Sequence, residues 1–332
     1  MSIQPADSVE LLAEVAERFY VEDQSKTEIG KDLNLSRFKV ARLLEEARDS
    51  GIVQITIRRT RSTYYDLEIA LANHLQLERV IVVDADPIAE TERDHLGEAA
   101  AEYVGRIVQK DDIIGLAWGR TLLPVANHLD PLPRVTLVQL TGVVGNDITR
   151  SPIEVAARIR ENSHSETKAL LAPLYAASVN TARALRREPS VQNVFAYYDR
   201  LDIALSSIGS WQPRVTQLES EFAPEISQEL DEKGVAADFC GLFFDAEGHQ
   251  VLTDLDHRRI SIEPDQIART TQVIAVAGGL DKTNALHSMA LTGLLTCLVT
   301  TSNVAEQLLA MTSVSRPTWT RPHHRLRAAS PR

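Results

Sequence analysis

Apolar residues recur at helical spacing three times within the first fifty positions. Over residues 7–22, Leu11, Leu12, Val15, Ala16 and Phe19 mark one face of an amphipathic helix. Ser25 and Glu28 form a capping box, Ser at the N-cap and Glu at N3, which opens a short helix over 26–33 with Ile29 and Leu33 inward. Asn34 follows as a turn residue that tolerates a left-handed backbone, and Ser36 is a second N-cap. A third helix then runs to about Ser50, burying Val40, Leu43, Leu44 and Ala47, until Gly51 stops it. Short helix, tight turn, cap and helix make a helix-turn-helix. The alternation in Ile52–Ile57, ending in Arg58 and Arg59, predicts a strand or wing beside it.

A linker helix is predicted at about 63–76, with Leu67, Ala70, Leu71 and Leu75 on one face. Beyond it the pattern changes to short continuous apolar runs: Val80–Val83, Ile113–Ala117, Val135–Leu140, Ala169–Leu171, Ile203–Ile208, Val273–Ala277 and Leu298–Thr300. Helical stretches lie between most of them, at 92–108, 120–129, 153–161, 179–187, 225–233, 284–295 and 303–310. Continuous apolar strands alternating with helices predict an α/β domain, a doubly wound and mostly parallel sheet covered on both faces. From about 312 the chain loses periodicity and gains Pro and Arg, as a disordered tail does. The expected organisation is a helix-turn-helix over 1–60, an α/β domain over 61–311 and a basic tail over 312–332.

Composition narrows the class. The 332 residues suffice for two domains at roughly 100–200 residues each. No run of about 18 apolar residues offers a membrane span, and the acidic, polar N-terminus does not read as a signal peptide. Cys240 and Cys297 are the only cysteines, with no close Cys/His cluster, which excludes a disulfide scaffold and a zinc finger and fits the reducing cytosol. The net charge of −11 argues against nucleic acid until its distribution is drawn. Residues 25–61 carry nine bases against five acids, a net of +4, and 316–332 carry five Arg and no acid. A small basic module on a large acidic body is a DNA binder's asymmetry. On the third helix, Ser36, Arg37, Phe38, Lys39 and Arg42 are placed to enter the major groove, with Lys26 on the preceding helix and Arg58 and Arg59 of the wing on phosphates. A three-helix bundle that binds protein explains the same helices.

Ligands of open parallel sheets sit beyond the carboxyl ends of strands, near helix N-termini. Gly119, Arg120 and Thr121 follow one predicted strand and can hold an anion such as a phosphate through amides, guanidinium and hydroxyl. Gln139, Thr141, Gly142 and Asn146 follow the next and can bond sugar hydroxyls. Gly279 and Lys282 end another strand, Lys282 as a point charge for phosphate; Gly209 ends a fourth, and Asp238 can accept from a sugar hydroxyl. An ordinary polar turn explains each of these singly; several strand ends on one sheet edge favour a pocket. No Walker loop, GxGxxG fingerprint, GxSxG elbow or metal-spaced His/Asp set is present, so no catalytic residue, cofactor or metal is expected.

The run from Lys26 to Val53 resembles the N-terminal helix-turn-helix of SorC/DeoR-type sugar-binding transcriptional regulators. Leu77–Asp84, Gly115–Thr121, Val138–Gly142, Asp238–Asp245, Gly278–Lys282 and Ala305–Leu309 match that family in order, so the resemblance covers about residues 8–310. It implies an effector domain akin to sugar-phosphate isomerases and CoA-transferases, with a phosphorylated sugar as effector, and bacterial regulators of sugar operons that assemble as dimers or tetramers. Carried onto this chain, it makes Gly119, Arg120 and Thr121 the phosphate-facing turn, Gln139–Gly142 the second loop and Lys282 the lysine of the Gly-Gly loop. Gly30 departs from the family's usual Ala, at a cost in helix propensity, and Thr301 replaces an acid. The expected partners are double-stranded operator DNA, the sugar phosphate and further copies of the chain. An isomerase-like enzyme with an appended DNA module is the alternative.

Overall fold

The computed structural model describes residues 5–53, 64–145, 151–161, 163, 165–315, 317–319 and 321. The chain divides into two compact units, Met1–Thr63 and Tyr64–Arg332. In the first, helices α1 (Pro5–Tyr20), α2 (Lys26–Asp32) and α3 (Arg37–Asp49) bury one core of Leu12, Val15, Ala16, Ile29, Val40, Leu43, Leu44 and Ala47. The capping box closes both ways: Ser25 N donates to Glu28 Oε2 at 2.9 Å, and Glu28 N donates to Ser25 Oγ. Those bonds hold the Glu28 carboxyl below its ordinary range. Asn34 takes the left-handed turn conformation, φ +58°. Ser36 caps α3 by accepting from Lys39 N at 3.1 Å. Of the expected wing, Ile52 and Val53 form a turn after α3 and Val53 packs on this core; Arg58 and Arg59 lie outside the described residues.

The second unit begins α4 (Tyr65–Leu75), β1 (Arg79–Val83), α5 (Ala89–Ile107), β2 (Ile113–Leu116), α6 (Leu122–His128), β3 (Thr136–Gln139), α7 (Pro152–Glu161) and β4 (Glu166–Lys168). It continues α8 (Val179–Arg187), α9 (Pro189–Phe195), β5 (Ile203–Ser206), β6 (Gly209–Ser210), α10 (Pro224–Glu232), β7 (Val235–Phe239) and β8 (Leu242–Asp245). It ends α11 (Asp254–Arg258), α12 (Pro264–Arg269), β9 (Gln272–Val276), α13 (Thr283–Thr292), β10 (Cys297–Thr301) and α14 (Ser302–Ala310). Seven strands form an all-parallel sheet in the order β1-β10-β9-β5-β2-β3-β4. Alternate residues of its central strands feed opposite cores. Val273 and Ala275 of β9 pack with α4, α13 and α14 on one face, while Ile274 and Val276 pack with α5, α6 and α7 on the other. That is why these strands read as continuous apolar runs.

Three expectations are corrected. The run Ala169–Leu171 is not a strand: the edge strand is Glu166–Lys168, while Leu171 is exposed and Leu170 N donates to the Gln139 side chain. A polar edge strand leaves no apolar run to find. Second, β6, β7 and β8 form an unforeseen antiparallel sheet, β7 and β8 turning at Cys240 and Gly241, both at positive φ (+55° and +77°). Cysteine is an uncommon residue for such a turn, so the usual Asn-Gly signal is missing. Third, the tail expected to be disordered from 312 packs on the body through residue 321 among the described residues. Val314 is buried, Thr318 N and Trp319 N donate to Leu291 O and Thr292 O, Trp319 meets the Phe244 ring edge-on, and Arg321 donates to the carbonyls of Leu294 and Thr270.

Candidate functional site

Read along the chain, β1 lies at one edge of the sheet, β2, β3 and β4 run to the other, and β5, β9 and β10 fill in backwards. The order therefore reverses between the neighbours β2 and β5, and in open parallel sheets the crevice beyond such a switch point holds the ligand. A cavity of about 260 Å³ opens there. The strand ends around it are laced together. Ser207 Oγ donates to Trp118 O at 3.1 Å, joining the ends of β5 and β2. Thr121 Oγ1 donates to Val276 O at 2.8 Å, tying the start of α6 to β9. Lys282, just before α13, donates from Nζ to Ile208 O at 2.6 Å.

Arg120, Thr121, Gly209, Asp238, Gly279 and Lys282 line this cavity, brought together from four separate stretches of chain. Gly209 pairs with Asp238 across the β6–β7 ladder, and a Cβ at 209 would collide with the Asp238 carboxylate. Glycine there makes room for a buried acid. One carboxylate oxygen, Oδ2, has no hydrogen-bond partner among the described residues. Burial pushes the Asp238 carboxyl up to about 6, held back by a hydrogen bond from Thr216 and by the Lys282 ammonium. Burial likewise pushes Lys282 down to about 8; Asp238 opposes this, while Arg120 and Arg93 reinforce it. Arg120 and Arg93 thus stand near enough to Lys282 to disfavour its charge, and a half-satisfied carboxylate lines the same cavity.

Other expected site residues stand elsewhere. Gln139 ends β3, Thr141 and Gly142 follow it, and none of the three lines the cavity. Gln139 is buried as a brace, donating to Thr141 O at 2.7 Å and accepting from Leu170 N at 2.9 Å. Thr141 is fully buried and bridges to Ser261. Gly142 is required because a Cβ there would meet the backbone of Pro173. Asn146 lies outside the described residues. Gly119 directly precedes the lining residue Arg120. The Thr121 hydroxyl, expected on a ligand, is committed to Val276 O. Cys240 and Cys297 are packing residues, burial pushing Cys240 up to about 12 and Cys297 upward as well.

Several lining residues gave no signal. Glu92 and Arg93 come from the first turns of α5, and Thr216 and Gln217 from the irregular segment after β6. Ser207 was findable, since it directly follows the last residue of β5. Among the described residues no cluster of His, Cys, Asp or Glu is arranged to hold a metal ion, and no helix is long and apolar enough to cross a membrane.

A family model described as "Putative sugar-binding domain" matches residues 61–310. The sorbitol operon regulator of Klebsiella pneumoniae is 27% identical over 320 residues, 92% of this chain and 100% of the relative. The transcriptional regulator LsrR of Klebsiella pneumoniae subsp. pneumoniae is 30% identical over 314 residues, 92% of this chain and 94% of the relative. The crystal structure of the full-length sorbitol operon regulator SorC from Klebsiella pneumoniae matches with a TM-score of 0.81 at 25% identity, over 93% of this chain and all of that one. With the family model spanning the α/β unit and these relatives spanning nearly the whole chain, the chain belongs to the SorC/DeoR-type family of sugar-binding transcriptional regulators.

Proposed function

We propose that this chain regulates a carbohydrate-utilisation operon, gripping operator DNA through its N-terminal helix-turn-helix under the control of a phosphorylated sugar in the strand-end cavity. The observation that carries the ligand is the meeting of unlike groups in one cavity: the cations Lys282, Arg120 and Arg93, and beside Lys282 the carboxylate of Asp238, whose Oδ2 has no hydrogen-bond partner among the described residues. A phosphate takes charge-assisted bonds from the cations. A hydroxyl of the same molecule donates to Asp238 and relieves an acceptor that is costly to leave unmade. The DNA-binding surface is the outer side of α3, with Arg37, Phe38, Lys39 and Arg42 exposed, Ser36 capping and Lys26 alongside on α2. Arg58 and Arg59 complete it on phosphates. The chain works in the cytoplasm as a homodimer or homotetramer, and its half-sites lie about one helical turn, or multiples, apart. By linkage, sugar and DNA change each other's affinity by the same factor.

The test joins thermal unfolding to DNA titration. One phosphorylated sugar, and not its free form, raises the unfolding midpoint; at about 100 times its dissociation constant it adds roughly 2.7 kcal/mol. Duplex affinity falls steeply with salt and shifts when that sugar is added. No shift with any phosphorylated sugar would sink the effector assignment. Absent or salt-insensitive duplex affinity would sink the DNA-binding surface.

A further inference from the structure

Phe38 is 86% exposed, more than any other large apolar side chain among the described residues, and the core of its unit does not use it. A lone exposed apolar residue is ordinary, so its position has to decide. At about 100° per residue, Phe38 stands roughly 170° from the centre of the stripe that α3 buries with Val40, Leu43, Leu44 and Ala47. Arg42, one turn on, stands about 150° away on the other side. These two point outward from the first two turns, with Arg37 and Lys39 on their flanks. Further along the same outer face come Glu45 and Asp49, both exposed acids that phosphates repel. The part of α3 that can approach DNA is therefore its capped N-terminal end, where one uncharged ring stands among cations.

We propose that Phe38 reads a base, its ring packing on the C5-methyl of a thymine in the major groove beside a guanine held by Arg42. This rests on the DNA-binding reading above. A ring adds nothing to phosphate attraction, and a cation would serve better there if phosphate were its only target. In the major groove thymine alone presents a methyl group, and Arg to guanine is the commonest specific contact. Four residues of helix rise about 6 Å, less than two base steps of roughly 3.4 Å. The thymine and guanine therefore lie within two base pairs of each other in each half-site.

The test selects duplexes from a random library with the full-length protein, Phe38→Ala and Arg42→Ala, then remakes the enriched duplex with deoxyuridine at one thymine at a time. In the wild type, one thymine in each half-site is methyl-sensitive, and loss of the methyl from one such thymine weakens binding about fourfold, the factor equivalent to roughly 0.8 kcal/mol for one buried methyl-sized group. Phe38→Ala binds the two forms equally and loses the thymine preference while keeping the guanine; Arg42→Ala does the reverse. A wild type indifferent to every methyl, or a Phe38→Ala variant that selects and discriminates like the wild type, overturns the assignment and leaves the ring to another partner. Failure of the wild type to select any duplex overturns the DNA-binding surface and this residue's role with it.

Discussion

Replacing Asp238 with Asn removes a charge that the fold holds at a cost. Burial raises this carboxyl from 3.8 to about 6, and that figure already contains the opposing pull of Lys282 and Thr216. At about 1.36 kcal/mol per pH unit, the gap corresponds to about 3 kcal/mol. The folded protein binds this proton more tightly than the unfolded chain. The contribution to stability is therefore fully present below pH 3.8, falls as pH rises through the window up to about 6, and is lost above it. Asn carries no such charge at any pH and can still accept from Thr216. Without ligand, Asp238→Asn should thus be the more stable protein at pH 7 by about 3 kcal/mol, or about 6 °C in midpoint at roughly 2 °C per kcal/mol for a unit of this size. The advantage should shrink towards pH 4. Thermal unfolding of both proteins across that range measures it, and the difference between them cancels the titration of groups that Asp238 does not influence; Lys282, which it does, titrates at about 8, above that range, in the wild type. Sugar-phosphate binding should weaken in the same variant, because the hydroxyl loses a charged acceptor. An equal or lower midpoint at pH 7, or a difference that stays constant from pH 4 to pH 7, would refute the reasoning.

Lys282→Met should weaken binding of the phosphorylated sugar roughly 10- to 150-fold, as loss of a charged hydrogen bond does, measured by calorimetric titration. Because burial lowers this ammonium to about 8, the wild type should also gain stability as pH rises from about 8 to 10.5, a gain absent from the Met variant. Gly30→Ala should destabilise the first unit despite alanine's better helix propensity, because its Cβ would stand 2.6 Å from Leu35 O where the chain turns towards α3. Faster amide exchange in α2 and α3 would register the loss, and unchanged or slower exchange would count against the clash. Removing residues 312–332 should lower the midpoint of the second unit by an amount equivalent to at least about 2 kcal/mol, the worth of burying one side chain such as Val314. An unaltered midpoint would mean that the packed strap contributes nothing.

The helices and the parallel sheet were legible because each rests on a short-range pattern. Val40, Leu43, Leu44 and Ala47 repeat at helical spacing because α3 has one buried stripe, and Ile203–Ser206 is continuously apolar because β5 is buried on both faces. The packed tail was not legible, since its order comes from single residues finding distant partners, as Trp319 finds Phe244 and Arg321 finds the carbonyls of Thr270 and Leu294. No period in the sequence encodes such pairs. Nor did the family's usual alanine reveal why residue 30 is glycine here; the approach of Leu35 O does.

The candidate site shows where local pattern stops. A rule that looks at strand ends selects the turns after β2, β3, β5 and β9 alike, because each ends an apolar run with small or polar residues. It cannot separate Lys282, which reaches the cavity, from Gln139, which braces the chain at Leu170 and Thr141. What separates them is strand order. The chain reverses direction across the sheet between β2 and β5, so the turns after those two strands, and after β9 beside β5, face the crevice. β3 lies on the far side of β2, and the turn after it is covered instead by bridges to Pro173 and Ser261. Strand order is fixed by which ladders pair, as Ile114 with Ile203 and Leu205 with Ile274, across separations of about 70 to 90 residues. The sequence announces each strand but not its neighbour. A residue's place in this cavity is therefore a property of the pairing, and it becomes readable only when the switch point between β2 and β5 is known.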